Sequence, residues 1–164
     1  MRLVLLSVGR LKTGPERELV ERYRSRIAGL HRPLGFQAFD VSEIDESRAR
    51  SAAERRRQEG AEILERAGRS LLVAFDERGA ALASQEFATR LSGWRDEGRA
   101  QSVLAVGGPD GLDTPVRERA DLVLCFGKLT IPHGLVRVLA AEQVYRALTI
   151  LSGHPYHRGE PGAG

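Results

Sequence analysis

Five short apolar stretches, residues 2–8, 36–41, 70–76, 102–106 and 122–126, alternate along the chain with five amphipathic ones. Each short stretch is nearly continuous in Val, Leu, Ile, Phe or Ala, the pattern of a strand covered on both faces. The first amphipathic stretch, 15–28, opens on Pro15 and places Leu19, Val20, Tyr23 and Ile27 at helical spacing. The second, 46–67, is almost all charged or small from 48 to 58. Ala61, Ile63 and Leu64 return it to a core, and Gly68 ends it. The third takes Ser84 as its N-cap, carries Phe87, Leu91 and Trp94 at helical spacing, and stops at Gly98. The fourth, 114–120, is short, with Pro115 near its start. The fifth, 133–152, is the longest apolar helix. Strands alternating with helices predict an α/β fold: a mostly parallel five-stranded sheet with helices on both faces. No repeat or linker interrupts residues 1–158, which read as one domain. The Gly- and Pro-rich residues 159–164 read as a disordered tail.

The chain of 164 residues is 41% hydrophobic and 29% charged, enough for one packed core and a polar surface. Its longest apolar runs, such as 3–6 and 71–75, are far too short to cross a bilayer, so no membrane partner is expected. The N-terminus reads as a first strand, not a signal peptide. Cys125 is the only cysteine. An intrachain disulfide and a cysteine-based zinc site are therefore excluded, and a cytoplasmic location is the default. A net charge of +3 and a pI of about 9.5 permit a nucleic-acid partner without demanding one. Lys12 and Lys128 are the only lysines, and arginine makes up the rest of the 25 basic residues. Arginine suits phosphate and base edges, but a GC-rich genome would give the same bias.

Five segments carry candidate chemistry. Gly107, Gly108 and Gly111 follow the fourth strand, where open parallel sheets bind ligands and bare backbone lets a ligand approach. The segment has neither the dinucleotide fingerprint nor the Lys-Ser/Thr of a phosphate loop. Residues 127–133 join the fifth strand to the last helix and are too apolar for an ordinary surface loop, so a ligand or a partner subunit should cover them. The last helix is apolar on most sides, which in so small a chain points to a homodimer through Leu139 and Val144. On it, Glu142 and Arg146 stand four apart, as in an ordinary helical ion pair. The tail His154-Pro155-Tyr156-His157-Arg158 gathers groups that stack on bases, bind phosphate and move protons. Residues 75–79, Phe-Asp-Glu-Arg-Gly, read as a strand end and turn.

Together and in order these segments resemble the RlmH family of SPOUT methyltransferases, which modify 23S ribosomal RNA. The marks run from Met1 to Arg158. They include Phe75 to Gly79, the turn from Val106 to Gly111, and the run from Leu129 to His133 followed by Val136-Arg137-Val138-Leu139. Glu142 to Ala147 and His154 to Arg158 complete the pattern. The resemblance implies a C-terminal trefoil knot, a homodimer, S-adenosylmethionine as cofactor, no metal, and methylation at N3 of a pseudouridine in large-subunit ribosomal RNA within the ribosome. It implies that Phe75, Gly107, Gly108, Gly127, Lys128, Leu129, Thr130, Ile131 and Pro132 hold the cofactor. Glu142, Tyr156, His157 and Arg158 would act on the RNA.

The sulfonium methyl is already activated, so catalysis should be mostly alignment. The acceptor N–H must still lose its proton, and Glu142, His133, His154 and His157 are all candidate bases. Arg158 or Arg137 would stabilise charge on the ring. Cys125, inside a strand candidate, should be a buried structural thiol. Two rivals stand beside this reading: an α/β enzyme with a nicotinamide or nucleotide cofactor, and a noncatalytic ribosome-binding dimer of the same fold.

Overall fold

The computed structural model describes residues 1–156. Its elements in order are β1 (Arg2–Val8), α1 (Pro15–Ala28), β2 (Ala38–Ile44), α2 (Ala52–Ala67), β3 (Leu71–Ala80), α3 (Ser84–Asp96), β4 (Gln101–Val106), α4 (Thr114–Arg119), β5 (Leu122–Leu124) and α5 (His133–Leu151). All five strands are parallel, in the order β2-β1-β4-β3-β5.

The continuous apolar strands work because both faces are covered. Leu3 and Leu5 of β1, Leu71, Val73 and Phe75 of β3, and Leu104 and Val106 of β4 face one way, against α1, α3 and α5. Leu6 and Val8, Leu72 and Ala74, and Val103 and Ala105 face the other, against Ile63 and Ala67 of α2 and Val116 of α4. This is the two-residue alternation of a strand, doubled by having a core on each side. Each fully buried leucine contributes roughly 1.5–3 kcal/mol of transfer free energy.

Several boundaries differ from the sequence reading. Strand β2 runs two to three residues later than 36–41, while Phe36 still packs in the core. Helix α2 begins at Ala52, not near 46. Ser51 caps it by accepting a hydrogen bond from the Glu54 amide at 3.2 Å, so the polar residues before it form a loop. The N-cap of α3 is Ala83, not Ser84; the Ser84 hydroxyl instead donates to Gln143 at 2.8 Å. Val144 is fully buried within this chain, and α5 packs on α1 and α3. The apolar circumference of α5 is thus mostly intrachain core. Leu135 is 43% exposed, and Val136, Leu139, Ile150 and Leu151 are partly buried.

Residues 75–79 do not end in a turn. Strand β3 runs on to Ala80, pairing with Leu124 twice, at Phe75 and again at Ala80. The Cys125 amide donates to the Ala80 carbonyl at 3.0 Å. Between those pairings Gly79 lies directly on the backbone of Val123 and Leu124. The end of β3 therefore crosses the end of β5 at a contact that admits no side chain.

Candidate active site

A cavity of about 690 Å³ opens at the C-terminal ends of β3, β4 and β5. Its first wall is the turn after β4. The Gly111 amide donates to the Gly108 carbonyl at 3.0 Å, and Gly111 has φ +82, in the left-handed region. A Cβ on Gly107 would lie 2.8 Å from the Gly111 carbonyl carbon, so only glycine lets this turn close. Gly108 is bare for a different reason than the one read from sequence. A Cβ there would meet Val8 at 3.0 Å and Glu59 Oε2 at 3.3 Å, contacts with the underlying protein and not ligand space. Glu59 is 5% exposed; its Oε1 accepts from the Ser47 amide at 2.9 Å, and burial pushes its pKa up.

The second wall is the end of β3. Phe75 stacks on Phe126 with ring centroids 5.2 Å apart and planes at 12°. Asp76 accepts from the Arg78 amide at 3.0 Å and pairs with Arg117 at 3.5 Å. The third wall is the connection from β5 to α5. Here Gly127 has φ +105, which turns the chain so that residues 129–133 line the cavity. Phe75, Gly107, Gly108, Gly127, Leu129, Thr130, Ile131 and Pro132 all lie on these walls. Lys128 is exposed and does not line the cavity. Leu129 is 82% exposed, so this loop is uncovered in the single chain.

Helix α5 carries the other group of candidates. Glu142 Oε1 accepts from Arg146 Nε at 2.9 Å and Nη2 at 2.6 Å, and from the Tyr156 hydroxyl at 3.2 Å. Tyr145 stacks edge-on against Tyr156 at 4.8 Å and tilts against Tyr23 at 5.9 Å, bringing all three tyrosines of the chain together. The Arg146 guanidinium lies 5.0 Å above the Tyr156 ring. Burial, then the Tyr23 hydroxyl and the Glu142 carboxylate, push the Tyr156 phenol up to about 12. It therefore stays protonated and donates. Gln143 donates to Glu142 Oε2 at 2.6 Å and lines a second cavity of about 350 Å³. That cavity shares Phe75, Leu124, Cys125, Phe126 and Gly127 with the first, so Gln143 and the glycine turn lie on either side of one wall. His157 and Arg158 lie outside the described residues, as does the stretch 159–164.

Three further candidates separate. Arg137 is 2% exposed and holds α5 to the sheet, donating to the Val8 carbonyl and to Glu43 at 3.2 Å; it is a structural clamp. His133 lines the first cavity. The His154 ring accepts from the Tyr156 amide at 3.2 Å at the exposed chain end. Cys125 is not a buried strand thiol: β5 ends at Leu124, and Cys125 is half-buried in the wall of both cavities. Sequence reasoning gave no role to Phe126, Gln143 or Arg117. Phe126, just before Gly127, was the most accessible of these signals.

The walls suit a nucleoside with an aliphatic arm. They offer an aromatic pair, bare backbone at Gly107 and Gly127, and a polar rim at Asp76, Asp110 and Asp113. The family model described as a predicted SPOUT methyltransferase matches residues 1–157. A protein named Ribosomal RNA large subunit methyltransferase H from Methylobacterium radiotolerans is 59% identical over 166 residues, covering 99% of this chain and 100% of that protein. The protein of the same name from Nitrobacter winogradskyi is 54% identical over 160 residues, covering 97% and 100%. A solved structure described as a probable methyltransferase from Bordetella pertussis Tohama I superposes with a TM-score of 0.52 at 10% identity. It covers 89% of this chain and 95% of that one, a likeness of fold alone.

Proposed function

The chain belongs to the SPOUT methyltransferase family, and from that premise we propose that it methylates N3 of a pseudouridine in bacterial large-subunit ribosomal RNA. The observation that carries this reading is the cavity where the Gly107 turn and the Gly127 loop meet Phe75. S-adenosylmethionine is the methyl donor, supplying a methyl already activated on a sulfonium. Phe75 and Phe126 offer its apolar parts a stacked surface, and the backbone around Gly107, Gly127 and residues 129–132 offers hydrogen-bonding groups. Lys128 is exposed beside them, outside the cavity lining.

The RNA side is the cluster of Glu142, Tyr156, Arg146 and the tail residues His157 and Arg158. Glu142 is half-enclosed and orders Arg146 and Tyr156 around one carboxylate, leaving the tyrosine ring and guanidinium as a stacking and phosphate-binding pair. The working form is a cytoplasmic homodimer of residues 1–158, in which a second copy covers Leu129, Leu135 and Leu139. Among the described residues Leu129 and Leu135 are the large apolar side chains left exposed, and Leu139 on the same helix as Leu135 is partly buried. The trefoil knot is part of this reading, and the close packing of Gly79 on the backbone of Val123 and Leu124 supports it.

Calorimetry and methyl transfer test this reading together. S-adenosylmethionine or its demethylated product should bind, whereas NAD and ATP at similar concentration should not. Labelled methyl should pass to ribosomes from a strain lacking this activity. Tight NAD binding without S-adenosyl binding would favour a nicotinamide enzyme. Donor binding without transfer to any ribosomal particle would favour a noncatalytic binder.

A further inference from the structure

We propose that His133 is the proton acceptor of the reaction, taking the proton from the ring nitrogen that receives the methyl group. The inference rests on the methyltransferase reading above and assigns it a residue which that reading leaves open. A base must sit where the acceptor meets the methyl carbon, so it must line the donor's cavity or reach into it.

The carboxylates and histidines that could accept a proton sort by what already engages them and by where they lie. Asp76 is held by Arg117 and the Arg78 amide. Asp110 receives two hydrogen bonds from Arg55, at 2.6 and 3.1 Å, which hold its carboxyl below the usual range. Asp113 caps α4 through the Thr114 amide at 2.9 Å. Glu77 is exposed to solvent, so its carboxylate is hydrated and not enclosed against an acceptor. Glu142 lines neither cavity and is occupied by Arg146 and Tyr156. His31 is buried elsewhere, its ring nitrogens against the carbonyls of Ile27, Ala28 and Gln37. His133 alone among the described histidines lines the cavity, and no hydrogen bond engages its ring among the described residues.

Its surroundings keep it deprotonated. Burial pushes its pKa down, and the Arg137 guanidinium one turn along α5 pushes the same way; Glu46, after β2, opposes them. Glu43 offsets part of the Arg137 charge from β2, and Glu16 of α1 lies against the adjacent Gly134. The balance is a neutral imidazole fixed at the first residue of a helix, behind Pro132. In the reaction the ring nitrogen gives its proton to the unprotonated imidazole nitrogen. Its freed lone pair forms the N–CH₃ bond, while the S–CH₃ bond breaks and leaves its electron pair on sulfur as a neutral thioether.

Two measurements test this. The first needs no turnover: the His133 ring, followed by NMR in the intact protein, should titrate below the ordinary histidine value of about 6.5. A ring still protonated at pH 7 would overturn the proposal. The second is the pH profile of kcat/KM for transfer to ribosomes. Wild type should be nearly flat from neutral pH upward. His133→Gln and His133→Asn should bind S-adenosylhomocysteine within a few-fold of wild type, yet lose roughly 100- to 10,000-fold in transfer at pH 7. Their residual rate should climb about tenfold per pH unit as the RNA nitrogen ionises unaided. An unchanged rate, an equal loss at every pH, or lost cofactor binding would each overturn the proposal. A wild-type rate that itself climbs with pH from 6.5 to 9 would do so without any variant. Wild-type protein that transfers no methyl at any pH would sink the methyltransferase reading instead.

Discussion

Gly79→Ala should be among the most damaging single-methyl additions in the chain. A Cβ at that position would stand 2.5 Å from the Leu124 carbonyl carbon and 2.7 Å from both the Leu124 amide nitrogen and the Val123 carbonyl carbon. These neighbours are backbone atoms of a paired strand, and they can yield only by separating β3 from β5. Overpacking of this kind costs on the order of 1–3 kcal/mol, and backbone neighbours place it at or beyond the upper end. For a domain of this size each kcal/mol lowers Tm by about 2–4 °C. Gly93→Ala is the matched control: it lies inside α3 with nothing within 4 Å of its added methyl. The same chemical change there should stabilise by about 0.5–1 kcal/mol, because alanine loses less conformational entropy in a helix. Thermal unfolding of both variants reads the two signs directly. An unchanged Tm for Gly79→Ala would mean that the strands do not cross in contact.

Deleting residues 154–164 should leave the fold and S-adenosylmethionine affinity within a few-fold of wild type and remove methyl transfer to ribosomes. Helix α5 ends at Leu151, and none of the described residues 154–156 lines either cavity, so the described walls of the donor site survive the cut. The cut removes the Tyr156 hydroxyl that donates to Glu142, the ring that packs on Tyr145, and His157 and Arg158 with it. Arg158→Ala alone should lower transfer roughly 10- to 150-fold, the equivalent of one charge-assisted hydrogen bond of about 1.5–3 kcal/mol. Removing only 159–164 should change nothing measurable. Labelled transfer and calorimetry on the same samples separate the two sites. Wild-type transfer by the longer deletion would leave the tail idle.

The strand and helix sequence was legible because the central strands are apolar on both faces, most helices on one, and α5 on most of its circumference. Val73 and Leu104 needed no tertiary information to be read as core. The boundaries of β2 and α2 were less so. Residues 45–50 are polar enough for either a helix or a loop, and the Ser51 cap decides between them. The crossing at Gly79 was invisible, since a glycine before a loop looks the same whether it turns or meets another strand. The glycine turn and the 127–132 loop were found because bare backbone and exposed apolar residues are unusual together. The bareness of Gly108 was read as space for a ligand, whereas the structure fills that direction with Val8 and Glu59. Val144 was read as interface because hydrophobicity marks burial without saying by what; here α1 and α3 cover the helix. Glu142 and Tyr156 stood fourteen residues apart, and only the end of α5 brings the tail back to the carboxylate.

Nucleoside mass spectrometry of 23S ribosomal RNA, from a bacterial strain lacking this modification and complemented with the chain, tests most directly whether this cavity serves methylation of a ribosomal pseudouridine. An N3-methylated pseudouridine should appear on complementation with wild type and be missing with the 154–164 deletion. Ribosomal RNA that gains no methyl when the wild-type protein is present, folded and able to bind S-adenosylmethionine would contradict that role.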